Sequence, residues 1–146
     1  MMGRFANGVH ELDVRIYYED TDFSGFVYHA NYLRFAERGR SEFLHHCGID
    51  HQHMLAAKPA LVFVVTHMDI DFKAPARIGD ILTIRTAYTQ IKGARFFVHQ
   101  KIYCDETLLW QADVIAASVT KTGKPARLSA EFMEKITPHL VQKDHI

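Results

Sequence analysis

Cysteine is scarce: only Cys47 and Cys104 occur in 146 residues. Neither belongs to a CxxC pair, which excludes a disulfide framework and the common redox and zinc motifs, so a reducing compartment is expected. Four prolines and eight glycines are too few and too scattered to form a linker, and no repeat or low-complexity tract divides the chain. A single domain spanning residues 1–146 is the expectation. No run approaches the roughly 18 apolar residues of a transmembrane helix, and the opening MMGRFANGVHELD has no apolar signal-peptide centre. The chain is therefore expected to be cytoplasmic. Charge of one sign is missing too, since 17 Lys and Arg balance 17 Asp and Glu. No net field draws nucleic acid or an anionic membrane, and no basic cluster is interleaved with stacking aromatics, so a nucleic-acid partner is not expected.

Familiar catalytic signatures are also missing. The sequence has no GxGxxG, GxxxxGK[ST], HExxH or GxSxG, with Ser24 lying in FSGF. Dinucleotide-binding, nucleotide-hydrolysing, zincin and α/β-hydrolase chemistries are thereby removed. His45, His46, His51 and His53 crowd one helix end without the carboxylate or cysteine spacing of a metal site, so neither metal nor cofactor is expected.

What is present reads as one long helix followed by a long antiparallel sheet. Val14, Ile16 and Tyr18 alternate with polar or half-polar neighbours and predict a first strand. From Tyr28 the period changes, with Tyr32, Ala36, Gly39, Phe43 and Cys47 on one helical line. Gly48 offers a left-handed cap, and Gly39 on the buried stripe predicts close approach to a sheet. Four strands are expected near Ala60–Lys73, Asp80–Ile91, Arg95–Cys104 and Leu108–Val119, the last one central. Lys92-Gly93 and Asp105-Glu106 should turn hairpins, and Ser129 should cap a short helix through Ile136. The predicted class is α+β, a five-stranded antiparallel sheet wrapped around one long helix. A single helix leaves one face or edge of such a sheet uncovered, which calls for a homodimer or homotetramer.

The segment YYEDTDFSGFVYHANYLRFAERGRSEFL, residues 17–44, holds the chemistry. Glu19, Asp20 and Asp22 precede Gly25 and the helix start. A helix N-terminus leaves roughly four N–H groups unpaired and carries about half a positive charge, so it polarises a carbonyl oxygen. A carboxylate beside such donors suits acyl transfer, either by activating water or by attacking the carbonyl.

Asp22-x-x-Gly25-x-Val27-Tyr28-His29-x-x-Tyr32 resembles the active-site motif of the 4-hydroxybenzoyl-CoA thioesterase family of hot-dog proteins, and EDTDFSGFVYHANYLRFAERGRSEFL is most similar to its Tol-Pal-associated acyl-CoA thioesterase branch. The block FVVTHMDIDFKAPARIGDIL, residues 63–82, continues the similarity. The resemblance implies a hot-dog fold, an acyl-CoA substrate, hydrolysis to free acid and CoA, and association with cell-envelope or lipid-synthesis machinery. It assigns Asp22 as the catalytic carboxylate, His29 as a motif histidine whose backbone N–H binds the oxyanion, and Gly25 and Tyr28 as shaping the turn. Phe23 or Phe26 stands where many relatives carry a small residue. Phe63, Val64 and Val65 are candidate acyl-channel residues, although core packing accounts for them equally. Lys92 and Arg95, with Lys121, Lys124 and Arg127, are candidates for the CoA phosphates. Glu37 is expected to pair with Arg34, Arg38 or Arg40 on the helix surface. Two alternatives fit the same residues: an acyl-thioester hydratase or dehydratase in which His29 and Glu37 act together, and a non-catalytic acyl-CoA-binding adaptor in which Asp22 only caps the helix.

Overall fold

The helical spacing of Tyr32, Ala36, Gly39 and Phe43 places one face of a 16-residue helix, α1 (Asn31–His46), in the core, and all four residues are buried. The structure is a computed structural model that describes residues 2–142 and 146. Ideal Cβ geometry at Gly39 lies 2.7 Å from Thr86 Oγ1 and 2.8 Å from Ile84 Cγ2, so the helix touches the sheet where a side chain is absent. Beyond Cys47, Gly48 adopts φ +82° and the chain turns back. Its N–H donates to the His45 carbonyl and that of Ile49 to Leu44, the paired bonds of a Schellman cap.

The sheet contains β1 (Arg4–Ala6), β2 (Val9–Arg15), β3 (Leu61–Phe72), β4 (Ile81–Lys92), β5 (Arg95–Cys104) and β6 (Thr107–Thr120). Every pairing is antiparallel, in the order β1-β2-β4-β5-β6-β3. Six strands thus replace the expected five among the described residues. The addition is β1, joined to β2 through Asn7 and Gly8, whose φ values of 54° and 82° suit a two-residue hairpin turn. The first long strand also lies earlier than the Val14–Tyr18 alternation suggests. Asp20 draws the Tyr17 N–H onto its carboxylate at 2.8 Å, and Tyr18–Asp20 forms a single 3-10 turn instead of continuing the strand. β6 lies inside the sheet between β5 and β3, one strand from the edge and not at the centre.

Two short helices complete the fold, α2 (His51–Ala56), capped by Asp50, and α3 (Ala130–Ile136), capped by Ser129 as expected. The core packs Phe35, Phe43 and Leu44 of α1 against Leu82, Ile84, Val98, Ile102 and Trp110 of the sheet. Among the described residues no helix is long and apolar enough to cross a membrane.

Candidate active site

Asp22 sits in a tight turn between the 3-10 segment and α1. Its N–H donates to the Phe26 carbonyl at 3.0 Å, and its carbonyl accepts from Gly25 N–H at 3.1 Å. Gly25 reverses the chain with φ +85°, a conformation most side chains avoid. The Asp22 carboxylate accepts the Ser24 N–H at 2.8 Å and the Ser24 hydroxyl on the same oxygen. The hydroxyl, then the Ser24 amide, and to a smaller extent the His29 imidazole hold the Asp22 carboxyl below its ordinary range. It is fully exposed and ionised at neutral pH.

The Asp22 turn is locked to the helix by backbone and buried side chains. The Asp20 carbonyl accepts both the Tyr28 N–H at 3.0 Å and Asn31 Nδ2 at 2.8 Å. Tyr32 reaches the other way and its hydroxyl accepts the Ala76 N–H at 3.0 Å, while the Ala76 carbonyl accepts the Val27 N–H at 2.9 Å. The Pro75-Ala76-Arg77 turn after β3 therefore clamps both flanks of the motif. Arg77 also lies over the Phe26 ring, 4.8 Å from its centroid.

No side chain caps the N-terminus of α1, where Ala30 is the cap residue. Among the described residues the His29 N–H has no hydrogen-bond partner. This leaves an open backbone donor on the same short loop as an ionised carboxylate. The exposed His29 imidazole packs on Tyr28 at 4.6 Å between ring centroids and faces Phe72 at 6.4 Å.

Other expected site residues lie elsewhere on the protomer. Phe63, Val64 and Val65 line a cavity of about 140 Å³ between the second half of α1 and the start of β3. Phe63 and Phe72 are nine residues apart on β3, roughly 30 Å of strand, so one chain does not bring this cavity to Asp22. Lys92 and Arg95 face each other across the β4–β5 turn, and Arg95 and Val64 both register with Ala117, which puts these cations at the cavity end of the sheet. Glu37 accepts the Ser41 hydroxyl at 2.8 Å and forms no ion pair with Arg34, Arg38 or Arg40 among the described residues, contrary to expectation. It lies eight residues, roughly 12 Å at the helical rise, beyond His29, and the two do not form a pair. Ser24 and Asn31 hold the Asp22 turn by their hydrogen bonds, and neither was singled out from the sequence. An Asp-x-Ser spacing before a glycine is the signal that could have found Ser24.

Comparison with known proteins places the chain in a family. Residues 16–136 match the Thioesterase-like superfamily, and the chain belongs to it. It is 43% identical over 127 residues to the acyl-CoA thioester hydrolase YbgC of Escherichia coli O6:H1, covering 83% of this chain and 93% of that protein. Among solved structures, a probable thioesterase from Bartonella henselae is 46% identical with a TM-score of 0.81, covering 83% of this chain and 99% of the other. The 4-hydroxybenzoyl-CoA thioesterase of Pseudomonas sp. strain CBS-3 shares the fold at a TM-score of 0.80 and 20% identity, over 87% of this chain and 98% of that one. The hot-dog architecture, with an antiparallel sheet against a helix, is thereby established.

Proposed function

We propose that this chain hydrolyses acyl-coenzyme A to free acid and CoA, with the Asp22 carboxylate as base or nucleophile. The observation that carries the proposal is the pairing of an ionised, solvent-facing carboxylate with an unpaired backbone donor, the His29 N–H, at an uncapped helix start. Kinship with acyl-CoA thioester hydrolases at 43% identity supports the substrate class. The thioester oxygen receives the His29 N–H and feels the positive end of α1, and water activated by Asp22 attacks the carbonyl carbon. The thiolate departs without strong acid assistance, since a thiol has a pKa of about 8.5.

The substrate is read as lying between two copies. β3 is a 12-residue edge strand with Val64, Val65 and Phe72 exposed, and such edges are seldom left bare. Two β3 strands pairing about a two-fold axis run antiparallel, so the Phe63–Val65 end of one meets the Phe72 end of the other. Asp22 of each copy then faces the cavity of its partner, and Lys92 and Arg95 come to the rim where CoA phosphates need positive charge. Two free cysteines support a cytoplasmic setting, and the similarity to the Tol-Pal-associated branch supports work beside cell-envelope or lipid-synthesis machinery.

Incubation with a panel of acyl-CoA esters, following free thiol, tests the reading. Thiol release is expected. Hydration of an enoyl-CoA without thiol release identifies the hydratase alternative, and binding without turnover identifies the adaptor.

A further inference from the structure

Behind the cavity that contains Phe63 lies a second and larger one. It measures about 370 Å³ against about 140 Å³ for the first, and runs between α2, α3 and the start of β3. Its floor is apolar, with Ile49, Met54 and Leu61, and charged side chains, among them Asp50, Lys58, Arg127 and Lys135, stand around it where it opens to solvent. One residue, Phe132 of α3, lines both spaces. Its ring is 5% exposed and closes the inner end of the first cavity in an aromatic triangle, 5.7 Å from Phe63 and 5.8 Å from Phe96, which are 5.0 Å from each other. Exposed Val64, Val65 and Glu37 line the same cavity on its solvent side while Phe132 is buried, so a ligand entering from solvent meets them before Phe132.

We infer that Phe132 is the chain-length gate of this enzyme, limiting the acyl group to short chains by separating the first cavity from an apolar space able to hold a long one. The inference rests on the reading that the Phe63–Val65 cavity receives the acyl group. A cavity of about 150 Å³ holds a benzene-sized body, so the first chamber takes about six carbons. A longer chain has to displace the Phe132 ring, which Phe63 and Phe96 hold from two sides. Removing the ring joins the chambers and gives the added methylenes apolar surroundings, each buried methylene strengthening binding by about fourfold. The acyl chain stays in place during hydrolysis, so the effect falls on kcat/KM for long chains relative to short ones.

The test is the ratio of kcat/KM for dodecanoyl-CoA to that for butyryl-CoA, compared among the wild type, Phe132→Ala and Phe132→Leu. Truncating a buried ring costs stability, and Phe132→Leu, which keeps most of the apolar volume, is measured for that reason. The wild type is expected to favour butyryl-CoA. The ratio is expected to rise by about tenfold or more in Phe132→Ala, as two or more newly buried methylenes require, and by less in Phe132→Leu. Adding Met54→Trp to Phe132→Ala fills the second chamber and is expected to restore the short-chain ratio. A wild type that prefers dodecanoyl-CoA, or a ratio unchanged in both folded variants, overturns the gate while leaving acyl-CoA hydrolysis intact. A wild type that releases no thiol from any acyl-CoA overturns the functional reading itself, and the gate with it.

Discussion

At the scale of single residues the site depends on which group holds a proton. Ser24 donates twice to the Asp22 carboxylate, so the folded chain keeps this acid ionised to a lower pH than a free aspartate, whose pKa is about 3.9. If Asp22 is the base, the rate stays flat from neutral pH downward and falls only below that range. Ser24→Ala removes the hydroxyl donor, and its acid limb should move upward toward the ordinary carboxylate value, as a pH–kcat/KM profile will read. His29→Ala keeps the backbone N–H and should lose less activity than removal of the Asp22 charge. A loss from His29→Ala as large as that from Asp22→Asn would instead make the imidazole the base. The resemblance of the Asp22–Tyr32 motif to a known family is what pointed to Asp22 and His29. Ser24 was not, because a serine in a turn usually serves only the local backbone, and its second role depends on Gly25 folding the loop back.

At the scale of elements the long helix was the most legible part, because its buried stripe and two glycines each have a steric meaning. Gly39 faces Thr86 and Ile84 at distances no Cβ tolerates, and Gly39→Ala should therefore destabilise the fold. Overpacking costs about 1–3 kcal/mol, and the improved helix propensity returns at most about 1 kcal/mol, so thermal unfolding should show a net loss with Tm lower by a few degrees. An unchanged or raised Tm would mean that the helix can withdraw from the sheet. β1 escaped notice because three residues give no alternation to count, although Asn7-Gly8 carries the hairpin signal. α2 was missed for a similar reason. It is six residues long, polar on most sides, and marked chiefly by its Asp50 cap. Tyr18 fits the strand alternation, yet the hydrogen bond from Tyr17 to Asp20 ends the extended backbone before it.

At the scale of the whole molecule, the sequence implied a second copy from the shortage of helix to cover the sheet, and β3 supplies the exposed edge. Sequence could not place the Phe63–Val65 cavity relative to Asp22, because that relation depends on which strand lies at the edge. Sedimentation at micromolar concentration should show a dimer or larger assembly, and a stable monomer would remove the shared site. Mixing provides a sharper check. Asp22→Asn and a cavity-blocked Val65→Trp should each be inactive alone, yet subunit exchange should restore about a quarter of wild-type activity, since half of the dimers are mixed and each has one intact site. No recovery after demonstrated exchange would place the acid and the cavity it serves within one chain.

If the Asp22 carboxylate drives thioester hydrolysis, thiol release from butyryl-CoA by folded Asp22→Asn, measured beside the wild type, will show it. The amide preserves the side chain's shape and its capacity to accept from Ser24 while removing the charge. Turnover should fall by about 10²-fold or more, with butyryl-CoA still bound. Activity retained within a few-fold of the wild type would contradict the assignment and move the search to another carboxylate, Glu37 first.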